Sequence, residues 1–177
     1  MIYLFYSDIS VASENYDFID FCSERKSYLC SITDNLRFKQ SFYVWKLLLR
    51  AFDFLGEKTE VFTENNGKWE MIGGNLNFSL SHSKNIVCVS ISKKLNGVDV
   101  EMISNKILNV KKKLNVNTDD VNELTKMWTE RECSIKEKCC KSYKHFLVAD
   151  ALNNNYDVCV GFENDNNDII LRKIDNL

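Results

Sequence analysis

Ile86-Val87-Cys88-Val89-Ser90-Ile91-Ser92-Lys93-Lys94-Leu95-Asn96-Gly97-Val98-Asp99-Val100-Glu101 is the stretch on which the reading of this chain turns. Its first part is short, apolar and β-branched, with Val87, Val89 and Ile91 on one face of a strand. Asn96-Gly97 carries a strong hairpin turn signal, which predicts Val98–Glu101 as the returning arm. Alternation puts Val98 and Val100 on one face and Asp99 and Glu101 on the other. Carboxylates two residues apart on one strand face can converge on one cation. Hard oxygen ligands with a few waters suit Mg²⁺. For the D-x-E pattern taken alone, a solvated hairpin face is the stronger reading.

Outward from this segment, Ile2–Tyr6 reads as a first strand and the region around Tyr16–Ser27 as helical. A longer helix is expected over Asp34–Leu55, with Phe38, Phe42, Trp45, Leu48 and Leu49 as its apolar stripe and Gly56 as its stop. A strand near Thr59–Thr63 leads to the turn Asn65-Asn66-Gly67. Downstream, Lys111–Val116 is ambiguous, and a helix is expected from about Asp119 to Tyr143 with a break near Thr125. A hairpin of Phe146–Leu152 and Tyr156–Phe162 turns on Asn153-Asn154-Asn155, and a last strand covers Asp168–Ile174. Helices alternating with antiparallel hairpins predict an α+β fold.

The chain has 177 residues, 45% of them hydrophobic, enough for one large domain or two small halves sharing a core. A formal net charge of -2 gives no global field for nucleic acid, so any anion site is local. No stretch is apolar enough to cross a membrane. The apolar start, Met1–Tyr6, lacks a basic leader and meets Asp8 at once, unlike a signal peptide. The 7 cysteines are odd in number and include no C-x-x-C pair, which predicts reduced thiols in the cytoplasm. Only His82 and His145 could join them, so a zinc site is not expected. Proline is absent, so turns must use Gly, Asn and Asp.

Two more groups carry chemistry. In Trp128-Thr129-Glu130-Arg131-Glu132-Cys133-Ser134-Ile135-Lys136, a helix places Trp128, Glu132 and Lys136 on one face. Ile135 and Cys139 lie close to that face and are expected to be buried, leaving Glu132 at the edge of a core where its acidity can be tuned. The plainer alternative is a surface Glu–Lys pair worth ~0.3–0.5 kcal/mol. In Phe78-Ser79-Leu80-Ser81-His82-Ser83, hydroxyls flanking an imidazole can donate several hydrogen bonds to a phosphate. Adjacent Ser and His on an extended chain point to opposite faces and form no catalytic dyad.

In order along the chain, FSLSHS at Phe78–Ser83, GVDVE at Gly97–Glu101 and WTERECSIK at Trp128–Lys136 resemble the signature segments of Sfp-type 4'-phosphopantetheinyl transferases. That family's pattern reads F-N-x-S-H-S, G-[IV]-D-[IV]-E and W-[ST]-x-K-E-[AS]-x-x-K. The resemblance covers roughly Gly67 to Lys136. It implies a pseudo-dimer of two similar α+β halves with antiparallel sheets, residues 1–95 and 96–177, and coenzyme A in the cleft between them. The implied reaction is the Mg²⁺-dependent transfer of the phosphopantetheine arm of coenzyme A to a serine of an apo acyl or peptidyl carrier protein. The implied metal ligands are Asp99, Glu101 and Glu132, with Glu132 also the candidate base and Lys136 the partner of the phosphates. Ser81 and His82 would hold nucleotide phosphates, and Gly67-Lys68 resembles a G-K-P segment near the adenine. Arg37 and Lys39, ahead of Leu48-Leu49-Arg50, are the candidates for the 3'-phosphate, with Arg25 and Lys26 ranked behind them. A monomer is implied, with no nucleic-acid or membrane partner.

The chain departs from the family pattern in several places. Trp69 replaces the proline of G-K-P, Ser79 the asparagine of the first motif, Arg131 a lysine, and Cys133 an alanine or serine. The usual phenylalanine–acid segment is missing from Asn115–Glu123, and no glycine lies between Gly97 and Gly161. The rival readings are a D…E-x-K nuclease, a non-catalytic module binding coenzyme A or a carrier, and a plain structural domain. The nuclease needs its acid and lysine two apart on a strand, whereas Glu132 and Lys136 are four apart on a helix.

Overall fold

β1 (Ile2–Asp8) is followed by α1 (Ser23–Cys30), α2 (Asn35–Leu55), β2 (Val61–Asn65), β3 (Lys68–Ile72), β4 (Asn77–Ser83), β5 (Ile86–Ser92) and β6 (Asn96–Met102). A 3-10 turn (Asn105–Val110) leads into α3 (Lys111–Leu114), α4 (Val121–Lys136), β7 (Ser142–Ala149), β8 (Asn155–Phe162) and β9 (Ile169–Lys173). The structure is a computed structural model that describes residues 1–57, 61–65, 67–164, 167–175 and 177. The strands form the sheets β4-β5-β1-β9, β2-β3 and β6-β8-β7. Their pairings are antiparallel except for β1 with β9, which is parallel. The fold is α+β.

β5 is buried along its whole length because both of its faces meet a core. Val87, Val89 and Ile91 pack with the buried side of α2, including Phe42, Trp45, Leu48 and Phe52. Ile86 and Cys88 pack on the opposite side with Ile2 and Leu4 of β1 and with Val98, Val100, Val158 and Val160 of the second sheet. The order of layers is therefore α2, first sheet, second sheet and α4. α4 covers the outer face of β6 and β8 through Leu124, Thr125, Thr129 and Cys133. α2 begins where the Asp34 side chain accepts from the Arg37 N–H, and it ends at Gly56 in the left-handed conformation.

Several expectations change. Asn96-Gly97 is not a hairpin turn: it opens β6, which pairs with β8 and not with β5. A Cβ on Gly97 would stand 2.6 Å from the Cys133 carbonyl oxygen, so the glycine allows α4 to approach the sheet. Helix α1 starts at Ser23 rather than Tyr16. Upstream, the side chains of Asp8, Ser13 and Asp17 accept from the N–H groups of Ser10, Asn15 and Ile19, local bonds that compete with helix. α4 runs unbroken through Thr125, whose hydroxyl bonds back to the Val121 carbonyl, and it stops at Lys136. Of the expected continuation to Tyr143, Ser142 and Tyr143 instead open β7 and pair with β8. Ile135 is 60% exposed and Cys139 half-buried, because the face of α4 that meets the core carries Thr129 and Cys133. The strand expected near Thr59–Thr63 is found at Val61–Asn65; Thr59, and Asn66 of the following turn, lie outside the described residues. β9 lies in the second half of the chain but joins the sheet of the first half.

The described residues include no helix long and apolar enough to cross a membrane. Gly97→Ala should push α4 off β6 and destabilise the protein by about 1–3 kcal/mol. A lower midpoint in chemical denaturation checks this, and an unchanged midpoint would contradict the close-approach role.

Candidate functional site

β4 and β6 each end a sheet, and they meet side by side. The serines that alternate along β4 face β6: Ser79, Ser81 and Ser83 accept from the N–H groups of Val98, Val100 and Met102 at 3.1, 3.3 and 3.3 Å. The hydroxyls of Ser81 and Ser83 in turn donate to Asp99 Oδ1 and Glu101 Oε2, both at 2.8 Å. The seam thus holds the two carboxylates of β6 in place. The Ser81 proton is engaged by Asp99, so this serine builds the floor of the site instead of standing free for a phosphate.

Above the seam opens a cleft of about 750 Å³. Gly67, Lys68, Ser81, His82, Asp99, Glu101, Glu132 and Lys136, expected from the sequence, all line it. Trp128, Glu132 and Lys136 present one face of α4 to it, as their spacing predicts. Lys136 Nζ donates to Asp99 Oδ1 at 2.6 Å and to the Val98 carbonyl at 2.9 Å. Burial lowers the Lys136 pKa, but the charge and hydrogen bond of Asp99 outweigh this and hold it above the ordinary lysine value. Burial raises Glu101 above the usual carboxylate range, and hydrogen bonds from Ser83 and Trp128 oppose the shift. Asp99 is buried, and its second oxygen, Oδ2, has no hydrogen-bond partner. An orphaned, buried carboxylate oxygen costs free energy unless something completes it. Among the described residues no three His, Cys, Asp or Glu side chains are already gathered as a metal cage.

The other wall of the cleft is cationic. Arg25, on α1, is 2% exposed. Its guanidinium lies 4.7, 4.9 and 5.3 Å from the ring centroids of Trp45, Tyr28 and Trp69. It donates to the Ser41 hydroxyl at 2.8 Å and to the Ser41 carbonyl, while Nε lacks a partner. Burial lowers its pKa to about 10, which leaves it charged. No carboxylate pairs with it among the described residues. His82 sits on the same side of β4 as Phe78 and Leu80, and its pKa falls to about 4 through burial, helped by the charges of Lys136, Arg25 and Arg37. It is a neutral imidazole at pH 7, offering one N–H as donor.

The sequence ranked Arg37 and Lys39 above Arg25, and the structure places these residues differently. Arg37 is exposed in the first turn of α2, near enough for its charge to reach His82. Lys39 lines a separate cavity of about 510 Å³ with Glu14, Tyr16 and Leu36. Arg25 is the arginine in the cleft. The signal for it was weak but present: Arg25 and Leu29 are four apart on α1, and both are buried.

Behind α4 lies a second polar cluster that the sequence did not suggest. His145 Nδ1 stands 2.9 Å from Asp157 Oδ2, and Nε2 stands 3.0 Å from Glu130 Oε1. The Thr129 hydroxyl donates to Asp157 Oδ2 at 2.7 Å. Burial lowers the His145 pKa, but the hydrogen bonds and charges of Asp157 and Glu130 outweigh it and raise the pKa above 6.5. The cluster ties α4 to β7 and β8.

No known protein-family model matches this chain, and no curated protein is significantly similar to it.

The two histidines have opposite linkage. His82 is depressed in the fold, so its contribution is fully present above pH 6.5 and is lost as pH falls toward about 4. His145 is raised, so its contribution is fully present below pH 6.5 and is lost as pH rises through its folded value. Thermal unfolding measured across this range should show His82→Gln flattening the acid limb and His145→Gln flattening the neutral-to-alkaline limb. The reverse pattern would contradict both assignments.

Proposed function

We propose that this chain is an Mg²⁺-dependent 4'-phosphopantetheinyl transferase, moving the phosphopantetheine arm of coenzyme A to a carrier-protein serine with release of 3',5'-ADP. The observation that carries the reading is the convergence of Asp99, Glu101, Glu132 and Lys136 with Arg25, Lys68 and His82 around one cleft. These residues come from distant parts of the chain and divide into an anionic and a cationic wall. A doubly charged pyrophosphate together with a divalent cation complements both. Each half also sets a long helix, α2 or α4, against a mainly antiparallel sheet, which supports a pseudo-dimer of two α+β halves, 1–95 and 96–177, acting as a monomer. The 7 cysteines are all free, in keeping with a reducing cytoplasm.

The donor set fits a hard cation. Asp99 Oδ2 is without a partner, and Glu101 and Glu132 line the same cleft. Magnesium keeps waters and takes substrate phosphates into its shell beside a few carboxylates, so a closed protein cage is not needed. Mg²⁺ held by Asp99, Glu101 and Glu132 would supply positive charge against the pyrophosphate oxygens.

The chain's own residues do the rest. Arg25 offers a buried, preorganised cation to a terminal phosphate, and His82 beside it donates one N–H. An anion bound there would raise the His82 pKa and draw a proton onto it. Lys136, held by Asp99 and the Val98 carbonyl, stands ready to offset charge on the departing nucleotide. The acceptor serine oxygen forms its bond to the β-phosphorus as the bond from that phosphorus to the bridging oxygen breaks. Glu132, directly or through a water, takes the serine proton.

The test mixes purified protein, Mg²⁺, coenzyme A and a panel of apo acyl and peptidyl carriers, with carrier mass as the readout. A phosphopantetheine mass gain is expected on at least one carrier. Coenzyme A binding without any mass gain would instead favour a non-catalytic binding module. Glu132→Gln should abolish transfer while leaving the circular dichroism spectrum unchanged, and normal activity would refute its role. His82→Ala should mainly weaken coenzyme A binding; lost turnover at saturating coenzyme A with unchanged affinity would contradict that.

A further inference from the structure

β2 and β3 form a two-stranded sheet of their own. Such a ribbon is marginal by itself and depends on anchors. Phe62 and Trp69 provide them, stacking edge-on against Trp45 at centroid distances of 4.9 Å each. Lys68 precedes Trp69 on β3, and both line the cleft. The Lys68 Nζ donates to Oε2 of Glu137, the residue after the cleft-lining Lys136 at the end of α4, at 3.0 Å, while Glu70 of its own strand lies farther off at 3.8 Å.

Glu137 is an unfavourable residue where it stands. It caps the C-terminal end of α4, its own N–H bonded to the Cys133 carbonyl. The free carbonyls at that end carry partial negative charge, which disfavours a carboxylate. The Glu137 side chain is only 12% exposed, so water screens it poorly. Lys68 supplies the compensating charge. It is also a cation of the cleft, and the same ammonium can serve a ligand phosphate.

We propose that the Lys68–Glu137 ion pair is a latch across the mouth of the cleft, which a phosphate-bearing ligand opens by taking Lys68 from Glu137. Glu137 is then an affinity-setting residue: it competes with the ligand for one cation and holds the ribbon over the site when no ligand is bound. This rests on the reading of the cleft as a phosphate site. The sequence motifs do not include Glu137, which follows the last of them.

The test uses the full chain, 3',5'-ADP with Mg²⁺ as the probe, and two measurements. By calorimetry, Glu137→Gln should bind the probe about threefold more tightly than the parent, the range open to a part-exposed pair. Lys68→Met should bind it more weakly, and adding Glu137→Gln to Lys68→Met should change nothing further, since the competition has gone. By amide hydrogen exchange without ligand, Glu137→Gln should exchange faster at residues 61–65 and 68–72, where β2 and β3 pair. Unchanged affinity in Glu137→Gln, or equal gains in both backgrounds, overturns the competition. Unchanged ribbon exchange overturns the latch. If the parent binds no probe at millimolar concentration, the phosphate reading of the cleft falls, and the exchange measurement still decides separately whether the ion pair restrains the ribbon.

Discussion

Three serine hydroxyls on β4 satisfy three backbone N–H groups on β6, and the rest of the site depends on that seam. Both strands are sheet edges with unpaired backbone groups, and a buried unpaired N–H costs about as much as a lost hydrogen bond. An ordinary ladder between them would have merged the two sheets. A serine side chain inserted at every second residue holds the edges further apart and lets the sheets fold over one another around Ile2, Leu4, Ile86 and Cys88 on one side and Val98, Val100, Val158 and Val160 on the other. Two of these hydroxyls, those of Ser81 and Ser83, also donate hydrogen bonds to Asp99 and Glu101. One set of side chains thus joins the sheets, aligns the second core and aims the carboxylates.

The electrostatic arrangement follows from this geometry. Asp99 is bound on one oxygen by Ser81 and Lys136 and left bare on the other. In the same cleft, Arg25 keeps its charge among aromatic rings, and His82 stays neutral because burial disfavours its charged form, helped by the cations around it. Low local dielectric strengthens each of these interactions and makes each unpartnered group expensive. A buried carboxylate oxygen and a buried guanidinium nitrogen are both left without partners at one cleft, which supports the proposal of a ligand that brings a cation and an anion together. Behind α4, the His145–Asp157 and Thr129–Asp157 bonds fix the helix from its other side, so that Trp128, Glu132 and Lys136 keep facing the cleft.

The sequence by itself determined the elements whose evidence is local. The apolar stripe of α2 and its ends at Asp34 and Gly56, the strand Ile86–Ser92, and the opposite facing of Val98 and Asp99 all follow from a repeat of 3.6 or 2 and from capping chemistry. The shared face of Trp128, Glu132 and Lys136 is of the same kind. Tertiary structure alone decided the rest. Asn96-Gly97 carries a turn signature, yet β6 left β5 for β8, and the glycine serves the approach of α4. Arg25, Arg37 and Lys39 are all basic residues on helices, and only packing against Trp45, Tyr28 and Trp69 selected Arg25 for the cleft. The physical reason is that periodicity is a property of neighbours along the chain. Which edges join, and which charge is buried, depend on contacts between residues far apart in it.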